Sequence, residues 1–374
     1  MLRPSVPAVL GVALLMGATP ARAQNCGLGF TAGPGPGVRV CSELAGTSSS
    51  ASLWGFPGVA SRPSVYESFL DAIVRIPPAD GLRGWATAEA GARIVGPPLG
   101  RVSLLGEFGV VGVARVNLPA AALDYFRSDT LADSIYWSFD GVDLLGVTFR
   151  SVGGGTLVEI ADGLTLGATV RFLQARELVG GRVSGGMLES FDGLDVDMQV
   201  REYGHAHGSG ATFGFLAVLM REEFRATLTV EQVGAPARLT AQSHLRAVDS
   251  TFQSTDEAVA ALGPSEGGVS ETLKLKWPAR VSLGLGHEVG RRTWLQVDSD
   301  VMLTSGFGGG NRIGARLQTR PVPWVHLEAG AGWSSGIDGS IGVGVSVGRL
   351  TWTLSGRSAL SGRNVRLASG FSLP

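Results

Sequence analysis

The chain has 374 residues, a formal net charge of −1, 17% charged residues and 56 glycines. Near-neutrality gives no basis for nucleic-acid binding, and few charges with many glycines favour tight turns over long solvated helices. Mean hydropathy is +0.21, yet past the N-terminus there is no run of about 18 apolar residues, so the sequence offers no transmembrane helix.

Residues 1–23 read as a cleaved secretory signal. Arg3 supplies the positive start, residues 9–16 a short apolar stretch, and Ala21-Arg22-Ala23 the small-x-small cleavage site, placing the mature start at Gln24. Lipid attachment at Cys26 is disfavoured, because Ala23-Gln24-Asn25 lacks the small apolar character it needs. Cys26 and Cys41 are the only cysteines. In an oxidising compartment they are a candidate disulfide, worth up to about 3 kcal/mol by loop entropy; two free thiols are the alternative.

Residues 24–84 show no sustained alternation and read as an N-terminal segment, either a periplasmic extension or a plug in a lumen. Within them Ser61 caps a candidate helix. Pro63 suits its first turn, Val65, Phe69, Ala72 and Ile73 share one face, and Pro77-Pro78 stop it.

From Trp85 a period of two sets in, the signature of strands with unlike surroundings on their two faces. Ala86, Ala88, Ala90 and Ile94 oppose Glu89 and Arg93. Val102, Leu104, Phe108 and Val110 oppose Ser103 and Glu107. Residues 117–133 break the pattern, and Pro119 before three alanines and Leu123 predicts a short loop helix. Strands resume over 134–149 and 154–160. Asp162-Gly163 is a hairpin turn, after which Leu166, Ala168, Val170 and Phe172 oppose Thr169 and Arg171. Residues 180–190 are ambiguous. Leu194, Val196 and Met198 oppose Asp195, Asp197 and Arg201. Residues 204–210 read as a loop, 212–220 as a strand apolar on both faces. Beyond it Ala226, Leu228 and Val230 oppose Arg225, Thr227, Thr229 and Glu231.

Residues 235–278 form the longest interruption. They are expected to be an external loop carrying a helix capped by Ser254 or Thr255, with Asp256 and Glu257 in its first turn. In the last quarter one face collects Arg280, Gln296, Asp298, Asp300, Arg312, Arg316, His326, Glu328 and Asp338. The other collects Val281, Leu283, Leu295, Val297, Ile313, Leu317, Leu327, Ile341 and Val343. Tight turns alternate with longer ones.

These features predict an all-β chain: a transmembrane antiparallel β-barrel over 85–374, of about 14 strands within a range of 12–16, with one or two short loop helices. The parity of the turns puts 235–278 outside the cell and the C-terminus in the periplasm. A soluble sandwich would also alternate, but its polar face is usually rich in Lys, Thr and Ser, whereas here it is rich in Arg, Asp, Glu and Gln. The lumen-lining candidates are Glu89, Arg93, Glu107, Arg171, Asp195, Asp197, Arg201, Glu231, Arg280, Gln296, Asp298, Asp300, Arg312, Arg316, His326 and Glu328.

Within 161–374 the stretches ADGLTLGATVRFLQARE, GSGATFGFLAVLMREEFRATLTVEQVGAPARL, KWPARVSLGLGHEV and VHLEAGAGWSSGIDGSIGVGVSVGRLTWTLS resemble strand pairs of the outer-membrane fatty-acid transporter (FadL-like) superfamily, which includes PorV-type barrels. The resemblance implies a 14-stranded barrel, an N-terminal plug and passage of hydrophobic compounds. The Asn-Pro-Ala motif that the transporters carry near the mature N-terminus has no counterpart here.

His205-Ala-His207 places two rings on one strand face, a metal-chelating geometry, but no carboxylate or cysteine cluster completes a site and an exposed loop pair is the simpler reading. Asp298, Asp300, His326 and Glu328 are read as lumen lining and not as an acid–base group. The function expected is a passive outer-membrane channel for small hydrophobic or amphipathic compounds, with no metal, cofactor or catalytic residue. Its partners are outer-membrane lipid and a small hydrophobic ligand. The alternative is a non-transporting docking barrel with a secretion-system protein partner, and third comes a barrel hydrolase.

Overall fold

The computed structural model describes residues 36–48, 81–127, 134–190, 193–254, 257–258, 261, 266–277, 279–290, 292–303, 311–334, 336–361 and 364–373. In chain order the elements are β1 (Gly37–Ser48), β2 (Leu82–Val95), β3 (Val102–Leu118), α1 (Ala120–Arg127), β4 (Ser134–Ser138), β5 (Val142–Ala161), β6 (Leu164–Ser190), β7 (Gly193–Met220), β8 (Phe224–Val233), β9 (Ala237–Phe252) and β10 (Glu266–Leu275). They continue as β11 (Arg280–Gly290), β12 (Thr293–Met302), β13 (Arg312–Val322), β14 (Val325–Trp333), β15 (Ile337–Val347), β16 (Leu350–Ala359) and β17 (Asn364–Leu373).

All the strands belong to one antiparallel sheet, and 14 of them close a ring. The ring runs β1, β2, β3, β5, β6, β7, β8 and then β11 through β17, and it closes where β17 pairs with β1, Val38 opposite Leu373. The other three extend it at one end. β4 continues the edge of β6, β9 pairs with the first half of β7, and β10 pairs with β9.

The two ends of the barrel differ because the turns differ. At one end, strand partners lie only a few residues apart, as with Ala161 and Leu164 or Val347 and Leu350. Gly163 (φ +75°) and Gly348 (φ +59°) supply the left-handed conformations such turns need. At the other end stand α1, the β4 and β9–β10 extensions and the longer connections. α1 begins where Pro119 and the alanines predicted it, with the Leu123 amide donating to the Pro119 carbonyl at 3.1 Å.

Ring strands turn large apolar side chains outward. Leu104, Phe108, Phe172, Phe215, Leu285, Val297, Ile313, Leu317 and Ile341 are all exposed, Ile341 by 74%. A water-soluble surface does not carry an apolar belt on this scale; a bilayer solvates it, while the charged residues opposite each one face the lumen.

Four expectations are corrected. First, the ring begins at β1, not at Trp85. Val38 and Val40 are exposed outside and Glu43 pairs with Arg366 of the neighbouring β17 at 2.7 Å, so the segment 24–84 is interrupted by a barrel strand. Ser48 and Leu82, which flank 49–81, both stand at the long-loop end. The helix predicted within 61–76 lies outside the described residues. Second, 180–190 and 204–210 are strand, inside β6 and β7, where cross-strand pairing overrides their Gly/Ser content. Third, 235–278 is mostly the β9–β10 hairpin. Near its tip the Glu257 amide donates to Ser254 Oγ at 3.3 Å, as a capping serine requires. Fourth, Asp195 and Asp197 are exposed on β7 beyond the ring and line no lumen, while Leu194 and Val196 are buried against Trp137 and Ala258.

Candidate functional site: the lumen and its mouth

Because opposed residues in a register share a face, the inward positions follow from the pairing. Arg39, Cys41 and Glu43 of β1 lie level with Arg93, Gly91 and Glu89 of β2. Cys41 is disulfide-bonded, and Cys26, the only other cysteine, lies outside the described residues.

Going inward from the tight-turn end on the β2–β7 side, a small apolar cluster of Val95, Leu105, Leu157, Leu216 and Val218 comes first. Next is an ionic layer. Arg171 on β6 donates to Glu89 at 2.7 Å and to Glu107 at 3.0 Å, and Arg93 reaches Glu107 at 2.9 Å. Glu231 faces the same level across a void of about 30 Å³. Above it lies an apolar layer of Val111, Val113, Leu145, Phe149, Leu239 and Trp277. Phe149 and Trp277 meet edge-to-face with ring centroids 5.0 Å apart. The β9–β10 hairpin adds Ala237, Leu239, Ala241, Leu273 and Leu275 to this layer, its apolar face folded against the inner wall of β3, β5 and β6.

The opposite wall carries a second ionic group. Asp300 accepts from Arg280 at 2.6 Å and Arg357 at 3.1 Å. Arg312 on β13 bridges Asp298 and Asp338, the latter at 3.0 Å, and Arg316 bridges Asp298 at 3.3 Å and Glu328 at 3.2 Å. Gln318 donates to Glu328 at 3.0 Å, and Gln296 is buried beside them. His326 lies 3.1 Å from Ser346 Oγ, which lies 3.0 Å from Thr351. Glu328, the next inward residue on β14, is committed to Arg316 and Gln318.

Of the residues named from the sequence, Glu89, Arg93, Glu107, Arg171, Arg280, Asp298, Asp300, Arg312, Arg316 and Glu328 take part in these ion pairs, whereas Asp195 and Asp197 lie apart from them. Sequence reasoning missed Glu43, Arg357 and Arg366, whose strands carry few other charges to mark a polar face, and it missed the mouth. There, above the apolar layer, a cavity of about 570 Å³ is lined by Arg83, Arg115, Asp143, Arg182, Arg201 and neighbouring apolar groups. Arg115 pairs with Asp143, Arg182 approaches the same carboxylate at 3.8 Å, and Arg201 bonds Glu271 at 2.9 Å. Alternation did mark Arg201. Arg83 and Asp143 sit at strand ends, where a short run of sequence shows no period.

His205 and His207 are exposed within β7, His205 at a bulge with φ +44°. Among the described residues no group of three potential ligands is placed to hold a metal ion.

No family model matches the sequence, and no curated protein matches it. Solved structures do resemble the barrel. The CymD monoaromatic hydrocarbon channel is 10% identical with a TM-score of 0.49, covering 96% of this chain and 94% of its own. The P. putida toluene transporter TodX is 10% identical with a TM-score of 0.48, over 90% of each chain. A Pseudomonas aeruginosa FadL homologue is 12% identical with a TM-score of 0.48, over 90% of this chain and 87% of its own.

Proposed function

We propose that the protein is an outer-membrane channel through which small hydrophobic or amphipathic compounds pass passively. The observation that carries this reading is the succession inward from the mouth. A cavity of about 570 Å³ gives directly onto a buried apolar layer, since Arg115, Asp143 and Arg201 are each followed two residues deeper on the same face by Val113, Leu145 and Tyr203. A water-filled pore is polar at that depth. An apolar layer instead favours solutes that gain by leaving water, about 25 cal/mol per Å² of apolar surface buried, and the concentration gradient supplies direction without a cofactor. The secretory signal read at 1–23 and the apolar exterior support an outer-membrane location.

Purified protein in liposomes should take up small apolar solutes faster than protein-free liposomes. Equal rates would overturn the reading. A second reading, a docking barrel for a secretion-system protein, draws on the ionic groups that line the lumen around Arg171 and Arg312. It predicts a stable co-purifying partner whose export stops when the gene is deleted, together with no solute passage.

A further inference from the structure

On the outer wall of β5 to β7 the apolar belt ends abruptly. Val152 of β5, Phe172 of β6 and Ala211 of β7 are level with one another, and Val152 and Phe172 are 64% and 62% exposed. Two residues nearer the long-loop end, on the same outward face, the row reads Arg150, Gln174 and Ser209, continued by Arg238 of β9 and Lys274 of β10. Every member of that row is exposed, as are Arg176 in the β6 bulge and Lys276 just past β10. The next residues outward are Thr148 opposite Glu177, and His207 opposite Thr240 opposite Thr272; Glu177 is their one carboxylate. Farther out Glu202 is paired with Arg246. Among the described residues Arg150, Arg176, Arg238, Lys274 and Lys276 form no ion pair. Arg238 and Lys274 nevertheless stand directly opposite each other, a like-charge pairing that is unfavourable unless an anion lies between.

The height of the row decides what that anion is. From the tight turn at Met220 to Ser209, β7 climbs about 28 Å along the barrel axis, at about 3.3 Å per residue and a tilt of about 40°. A lipid-facing belt is about 25 Å tall, so the row lies where hydrocarbon ends and headgroups begin. A lipid whose acyl chains rest on Val152 and Phe172 places its headgroup on these cations, a double contact that a soluble anion does not make. Neighbouring strands lie about 4.8 Å apart, so Arg238 and Lys274 can share one phosphate while Arg150, about 14 Å around the wall, meets a second. Gln174 and Ser209 stand between them as neutral hydrogen-bonding groups. We propose that this row binds the phosphorylated headgroups of outer-leaflet lipid. The inference goes beyond the channel reading: it needs the outer-membrane location and the long-loop end facing outward, not any solute in the lumen.

Purified full-length protein in a nonionic detergent would be titrated with diphosphoryl lipid A and with its dephosphorylated form of the same acyl chains, bound lipid being read by native mass spectrometry. The diphosphoryl lipid should bind at least about tenfold more tightly, each Lys or Arg at an anionic surface being worth roughly fivefold. The double variant Arg238→Gln/Lys274→Gln should weaken it by roughly 30-fold and bind the dephosphorylated lipid as before. Arg221→Gln/Arg349→Gln, which removes two exposed cations at the tight-turn end, should leave both affinities unchanged. Glu177→Gln, which removes the carboxylate beside the row, should tighten the diphosphoryl lipid by roughly twofold, a gain that a misfolded variant would not give. Equal binding of the two lipids, an equal loss in Arg221→Gln/Arg349→Gln, no gain in Glu177→Gln, or displacement of the lipid by equimolar inorganic phosphate would each overturn the inference. Lipid binding without solute uptake would leave it standing while the channel reading fell; uptake without preference for the phosphorylated lipid would do the reverse.

Discussion

Arg312 holds two carboxylates at once inside the barrel, and all three groups are buried: Arg312 is 4% exposed, Asp298 6% and Asp338 2%. Taking away the guanidinium strands Asp338 without its bidentate partner. Breaking a buried pair from one side costs about 3–5 kcal/mol, far more than the pair contributes net. Arg312→Leu should therefore lower unfolding stability by about 3 kcal/mol in urea titrations of the reconstituted protein. Asp338→Asn in the same chain should restore part of that loss, because Arg316 still serves Asp298. Arg182 is the contrast. Its half-exposed contact with Asp143 at 3.8 Å is worth less than about 1 kcal/mol, so Arg182→Gln should shift the same urea transition by less than that.

The β9–β10 hairpin is an element that the ring does not need. β8 already pairs with β11 in unbroken register from Glu231 opposite Arg280 to Phe224 opposite His287, so the wall is continuous beneath the hairpin. What the hairpin adds is the inner part of the apolar layer, Leu239 and Leu273 among it, anchored at its base by the Trp277 Nε1–H donating to the Ala235 carbonyl at 3.1 Å. Replacing 236–278 with a short Gly/Ser link should leave a heat-modifiable barrel on electrophoresis while raising ion conductance in planar bilayers several-fold, as roughly expected of a wider polar lumen. Loss of the folded band would show that the hairpin is part of the wall. At this scale the sequence was a partial guide. Strands of the last quarter, such as β12, were legible because each turns one solvent inside and another outside. The second half of β6 and the first half of β7 were not. Their Gly/Ser runs look like loops until a partner is known, and the partners that hold 204–209 straight, Arg238 to Gln242 of β9, lie some thirty residues away.

For the molecule as a whole the deciding variable is the solvent outside. On a water-soluble protein a change at an exposed isoleucine is nearly neutral, within about 0.5 kcal/mol. At mid-height on a lipid-facing wall a lysine costs about 2–4 kcal/mol. Ile341→Lys, in the middle of β15 and the most exposed of the belt residues named above, separates the two cases. It should destabilise the reconstituted protein by roughly 2 kcal/mol or more. The barrel class was legible because this inside-out pattern repeats strand after strand. The first ring strand escaped notice for a local reason: Val38, Val40 and Leu44 do alternate with Arg39 and Glu43, but Gly/Pro-rich sequence precedes them and Gly46 to Ser50 blurs the far end.

The closure between β1 and β17 has a consequence in time. Val38 through Thr47 meet Leu373 through Asn364, so the first described strand, though it can pair early with β2, cannot find its second neighbour until 364–373 are present. Until then the growing sheet has two unsatisfied edges, each able to pair with any other extended chain. Contacts of such long sequence separation are also the slowest to form. The chain must therefore be kept from ordering, and from meeting its own copies, until that seam can form. The final seam decides at a single step whether it becomes a barrel or an aggregate.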